Sequence, residues 1–125
     1  MKATETKVHN WFDLPREFVR KGVERVGFRG DNVIMVWNWI TPGMKLNPHQ
    51  HPFDQLALLI NGRAKYHVGD EVFEMKEGSM LHIPADVVHY IEPVGNETAL
   101  NLDVFAPVRD DYKHLVRYQT EYSDK

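Results

Sequence analysis

The sequence predicts an all-β single domain, a double-sheet jelly-roll barrel with an N-terminal arm. Three observations predict it. Short apolar or alternating runs follow one another from residue 33 to residue 105, each closed by glycine, proline, asparagine or aspartate. Asn61-Gly62 joins two of these runs, and that dipeptide is the strongest short hairpin signal in the chain. Helical periodicity is scarce and internal repeats are absent, so the strands must cover one another, and closing them into a barrel removes most exposed sheet edges.

Bulk properties agree with one soluble domain. The 125 residues suffice for a core but not for two, and 42% hydrophobic with 26% charged residues is an ordinary globular composition. The chain divides into an arm (1–30), a barrel (31–107) and a tail (108–125). A net charge of -3, with lysine and arginine scattered among acids, leaves no basic footprint for nucleic acid. There is no cysteine, so any metal must sit among nitrogen and oxygen donors. The segment MKATETKVHNW has no apolar stretch and no run approaches membrane-spanning length, so no membrane partner is expected and a cytoplasmic protein is the default.

In chain order, the arm is charge-rich, with apolar anchors at Trp11, Phe12, Phe18, Val19, Val26 and Phe28. Leu14-Pro15 breaks it, and residues 16–22 read equally as a short helix or an irregular arm. Gly27 to Asn32 reads as a turn before a strong strand at 33–40. That strand carries Val33, Met35, Trp37 and Trp39 on one face and Ile34, Val36, Asn38 and Ile40 on the other. Two apolar faces imply double burial, so the second face needs the arm or a second subunit, and a homodimer is the favoured expectation. Trp37 and Trp39 are read as core or interface packing ahead of a ligand pocket. Thr41-Pro42-Gly43 ends the strand. Further strands are expected at 55–60, 63–68, 71–75, 80–83, 87–92 and 98–105.

Between these elements lies the candidate chemistry. His49 and His51 are one residue apart, so on an extended backbone both imidazoles point the same way and can reach one ion. Gln55 continues the alternation and adds an uncharged oxygen donor, and His89, at the entrance to a later strand, adds a fourth. A lone His-x-His pair arises by chance, and a single histidine is more often a structural residue. His9, His67, His82 and His114 are assigned no such role; His67 alternates with Arg63 and Lys65 and is read as facing solvent.

The two histidine segments resemble the two motifs of the cupin superfamily. Gly43, His49, His51, Gln55 and Gly62 match the first in spacing, with glutamine where the family usually has glutamate. Gly78, Pro84, Asp86, His89 and Pro93 match the second, with Asp86 and Pro93 in place of a glycine and an asparagine. The resemblance implies a cupin double-stranded β-helix and a metal held by His49, His51, Gln55 and His89. Nitrogen and oxygen donors admit nickel, zinc, iron, cobalt or manganese. Metal loss is expected as the histidines protonate, near pH ~6.5 and below at their reference values.

Alternation in 99–105 separates Leu100, Leu102 and Val104 from Asn101, Asp103 and Phe105, and does not by itself say which set faces the interior. Asp103, Phe105 and Arg109, beside a His-x-His site that carries glutamine, are similar to the small single-domain cupins of the pectin-degradation KdgF family. That resemblance implies metal-dependent conversion of 4,5-unsaturated uronates, small acids left by pectin and alginate lyases, into linear keto acids. It implies Asp103 as the proton-transferring catalytic residue, with Arg109 forking onto the substrate carboxylate and Phe105 covering the ring. The competing readings are a metal-dependent cupin dioxygenase and a non-catalytic module that binds a small acid.

Overall fold

The computed structural model describes residues 6–122, so residues 1–5 of the expected arm and 123–125 of the expected tail lie outside the described residues. Among the described residues, nine strands form two antiparallel sheets. They are β1 (Glu17–Arg20), β2 (Val23–Arg29), β3 (Ile34–Ile40), β4 (Gln55–Asn61), β5 (Arg63–Val68), β6 (Glu71–Met75), β7 (Met80–Ile83), β8 (His89–Val94) and β9 (Ala99–Phe105). The larger sheet runs β1-β2-β3-β9-β4-β7 and the smaller β6-β5-β8. Together they make the expected all-β jelly roll. Pro93 is accommodated because β8 is an edge strand of the smaller sheet.

Two expectations for the N-terminal third are corrected. Residues 16–22 form neither a helix nor an irregular arm: Glu17–Arg20 is a strand paired antiparallel with β2. Gly27 is not in a turn either, since β2 runs through it to Arg29 and the chain reverses at Gly30, whose amide donates to the Val33 carbonyl at 2.8 Å. Crowding explains the glycine: a Cβ there would meet the Leu115 Cβ at 3.0 Å and Val116 Cγ1 at 3.3 Å. A close approach of two segments, and not a reversal, demanded the missing side chain.

Register decides which residues enter the barrel. Asn38 lies opposite Asn101 in the β3–β9 pair, and Asp103 lies between Val36 on β3 and Ala57 on β4. On the inner face, buried Ile34, Val36 and Phe105 form an apolar layer with Val116. Ile40, Ala57, Leu59, Ala64, Met75 and Ala99 belong to a second. The polar groups of β3, β4 and β9 sit between these layers. Leu100 and Leu102 therefore face outward, packing with Val26 and Trp37 beneath Trp11 and Leu14 of the arm. Trp11 stacks on Trp37 at 5.1 Å, which makes the arm the cover that the second face of β3 required. Further along, Leu56 and Met80 remain 48% and 75% exposed.

The C-terminal segment is fastened to β2. Gln119 accepts from the Arg29 amide at 2.9 Å and donates to its carbonyl at 3.0 Å, while the Tyr118 hydroxyl donates to the Gly27 carbonyl. These bonds hold the 3-10 segment Asp110–Val116 over the barrel mouth, and bring Arg109 and Tyr112 to the site.

The hairpin expected at Asn61-Gly62 is corrected: β4 pairs with β9 and β7 and β5 with β6 and β8, so at Gly62 the chain crosses from the larger sheet to the smaller. Gly62 has φ +86, and a Cβ there would lie 3.1 Å from the Ala99 Cα and from the Thr98 carbonyl oxygen. Backbone cannot yield as a flexible side chain can. Left-handed geometry and overpacking each cost at least ~1 kcal/mol, so Gly62→Ala is expected to destabilise the protein by at least ~2 kcal/mol, read from the urea midpoint.

Candidate metal centre

The two histidine segments are joined through the backbone. His49 and His89 form an isolated antiparallel bridge, the His49 amide donating to the His89 carbonyl at 3.1 Å and the reverse bond measuring 2.8 Å. The Asp86 amide donates to the His51 carbonyl at 2.8 Å. Asp86 holds φ 64 to do so, a left-handed conformation that aspartate tolerates better than most residues, and this is how the turn dispenses with a glycine.

Local hydrogen bonds then set the state of each imidazole. His49 Nδ1 lies 2.7 Å from the Asn47 carbonyl oxygen, His51 Nδ1 2.9 Å from that of Phe53, and His89 Nδ1 2.9 Å from that of Val87. A carbonyl oxygen only accepts, so each Nδ1 carries the proton and each Nε2 presents a lone pair. The ligating atoms of the three rings all lie within 4.8 Å of one another. His89 Nε2 is buried with no hydrogen-bond partner. A buried lone pair without a donor is costly unless something positive meets it, and three converging on one point fit a metal ion.

Gln55 fits the same centre. Its Nε2 donates to Asp103 Oδ1 at 2.7 Å, which turns Oε1 toward His51 Nε2 at 3.0 Å. With His51 Nδ1 protonated, neither of those two atoms has a proton to share. Two donors each ~2.1 Å from one ion and at right angles lie about this far apart, so the contact fits neighbouring ligands. All four sequence-predicted ligands thus converge, and they could hold a metal ion.

Asp103, Phe105 and Arg109 line the same cavity of about 70 Å³. Asp103 Oδ1 accepts from Gln55 and from Asn101 Nδ2 at 2.7 Å, and Oδ2 accepts from Asn38 Nδ2 at 3.1 Å. Burial pushes its carboxyl up to about 6, against the pull of the Asn101 and Gln55 amides. Phe105 meets the His51 ring edge-on at 5.7 Å. Arg109 is buried beside three rings, with its guanidinium carbon 3.9 Å from the Tyr112 centroid and 4.6 Å from those of Phe53 and Phe105.

Arg109 Nε and Nη2 fork onto the Asp111 carboxylate at 3.1 and 2.7 Å, which leaves the two Nη1 hydrogens and the second Nη2 hydrogen of the guanidinium. The expectation for His67 is corrected: it is half-buried, stacked on Tyr90 at 4.1 Å with its Nε2 3.1 Å from Glu92. Sequence reasoning gave no role to Asn38 or Tyr66. The one available signal was Asn38 itself, a lone polar residue on the apolar inner face of β3.

Burial lowers His51, and lowers His89 to about 4, with nearby positive charge adding to the effect. The ligand-competent neutral form of these two rings therefore persists below pH 6.5, and metal retention is expected to extend to more acidic pH than reference histidines allow. In the metal-free protein, His89 binds a proton more readily unfolded than folded between its folded value near 4 and the unfolded value of ~6.5. The raised Asp103 carboxyl acts in the opposite sense, so the His89 effect is read in Asp103→Asn, whose stability should fall as pH drops through that window, as denaturant midpoints at pH 7 and pH 5 will show. Divalent metal at one hundred times its dissociation constant should stabilise by ~2.7 kcal/mol. Thermal melts with and without chelator check this, and replacing His49 and His51 together by alanine should abolish the shift.

Residues 39–105 match the family described as Cupin domain. The fold is similar to KdgF from Halomonas sp., with TM-score 0.72 and 21% identity over 80% of this chain and 94% of that one. It is also similar to an RmlC-like cupin from Shewanella frigidimarina, with TM-score 0.73 and 20% identity over 83% and 93%. By sequence, 56 residues are 34% identical to a gentisate 1,2-dioxygenase from Haloferax sp., a stretch that spans 45% of this chain but 16% of that enzyme. The match over more than half of the chain, on a jelly roll that gathers its histidines at the barrel mouth, makes the chain a member of the cupin family.

Proposed function

We propose that this protein is a metal-dependent cupin enzyme that ketonises small unsaturated sugar acids, the 4,5-unsaturated uronates. The observation that carries the reading is the position of Asp103, a carboxylate lining the same cavity as the three histidines, Phe105 and Arg109. The cavity, of about 70 Å³, suits a small molecule.

His49, His51, Gln55 and His89 would hold the ion. When bound, a divalent metal coordinated only by neutral donors keeps its full charge and acts as a Lewis acid toward a carboxylate or carbonyl oxygen. The remaining work belongs to side chains. Opening of the ring hemiacetal leaves an enol, and ketonisation removes the enol proton from oxygen and places one on carbon, with no net change in atoms. Asp103 can carry that proton: Oδ1 is saturated by two amides, whereas Oδ2, with one, keeps a lone pair. A value near 6 suits a group that must both take and give a proton near neutrality. Arg109 Nη1 supplies an anion contact, and Phe105 an apolar wall.

The test follows the ultraviolet absorbance of a lyase-generated unsaturated uronate and counts only the rate above buffer. Metal-loaded protein should accelerate its decay and metal-stripped protein should not. Asp103→Asn should lose ~10²–10⁴-fold in rate while keeping its fold. No acceleration over buffer by the loaded protein would overturn the reading.

A dioxygenase is the second reading, favoured by the aligned segment of the Haloferax enzyme. Oxygen uptake by the iron-loaded protein with a gentisate-type substrate would establish it. The homodimer belongs to the same proposal, supported by the exposure of Leu56 and Met80 on the outer sheet face, and light scattering at the mass of one chain would remove it.

A further inference from the structure

Asn38 belongs to no metal ligand set and to no motif, yet its orientation is fully determined. Its Nδ2 donates to the Val36 carbonyl oxygen at 3.2 Å, and a carbonyl only accepts, so nitrogen and not oxygen faces Asp103 Oδ2 at 3.1 Å. On the other side, the Tyr66 hydroxyl donates to Asn101 Oδ1 at 2.5 Å, which turns Asn101 Nδ2 onto Asp103 Oδ1 at 2.7 Å. Both oxygens of Asp103 are therefore met by amide donors, and the orientation of the Asn38 amide is set independently by the Val36 carbonyl. Asp103 is held as an acceptor, and the third amide that reaches it, Gln55, has to present Nε2 to it and Oε1 to the histidines.

We propose that Asn38 is a positioning residue for the metal centre: with Asn101 it forms a cradle that aligns Asp103, and Asp103 in turn fixes the Gln55 amide with its oxygen toward the ion. The direction matters, because a flipped Gln55 would offer the ion an N–H₂ group that cannot ligate. Asp103 is also the negative charge that the inner ligands lack, placed one hydrogen bond outside them. Carboxylates that orient histidine ligands act in this way, and losing such an outer partner typically costs ~10–100-fold in metal affinity. The inference rests on the metal site of the proposed function and not on its substrate.

The experiment is a double-mutant cycle read by cobalt(II) affinity, with chelator competition on the full chain and the visible cobalt spectrum as a second readout. Asn38→Ala should weaken cobalt binding about tenfold and alter the spectrum, and the metal-free protein should still melt cooperatively. In a Gln55→Ala background, where no amide remains to be oriented, Asn38→Ala should change affinity less than twofold. Equal losses in both backgrounds would mean that Asn38 acts through the fold, and no loss in either would mean that it does not act at all; each result overturns the inference. If the unaltered protein binds no cobalt, the metal-site reading fails as well, which the first titration shows before any variant is made.

Discussion

A half-buried carboxylate facing the interior of a β-barrel is the constraint on which this site depends. Desolvating Asp103 without hydrogen bonds would cost several kcal/mol, or would leave it neutral. The barrel meets that demand with amides from three strands: Asn38 on β3, Gln55 on β4 and Asn101 on β9. Each of these must lie on the inner face at one level, which the registers Asn38↔Asn101 and Ala57↔Asp103 provide. Ala57 is small enough to leave the carboxylate room. Apolar layers on both sides then isolate the network.

The metal centre inherits its order from this network and from the backbone. Carbonyls at Asn47, Phe53 and Val87 each accept from an Nδ1–H and so fix the tautomer, and the His49–His89 bridge ties the two ligand segments together. None of these fixing bonds spends a charged side chain. The ligands remain neutral, and opposite charges are kept at a distance: Asp103 behind Gln55, and Arg109 paired with Asp111 among aromatic rings. Arg109 reaches that place only because Tyr118 and Gln119 fasten the tail to β2.

Most of the fold was legible because its signals are local. Alternation and turn residues marked the strands from Val33 onward, and the bounds observed differ by at most two residues. The failures lie where a distant segment overrode a local signal. Gly27 looked like a turn because glycine usually means one, but its cause was Leu115, far along the chain. β1 carried too few apolar residues to declare itself, since one antiparallel neighbour satisfies it. His67 seemed solvent-facing by alternation, until Tyr90 on the adjacent strand stacked over it.

The ligand histidines were legible for the same local reason: a one-residue spacing on extended chain puts two imidazoles on one side whatever surrounds them. Alternation in β9 left the facing of Asp103 open, because period two names two faces without saying which is inner. Tertiary structure decided it, by seating Trp11 and Leu14 against the leucine face. It also decided that the Nε side of the Arg109 guanidinium belongs to Asp111, and that Asn38 completes the cradle. By itself the sequence determined the strands, the turns and the ligand spacing, which depend on neighbours a few residues apart. Only the closed barrel decided facing, amide orientation and charge placement, because these depend on groups that the sheet register brings together from distant parts of the chain.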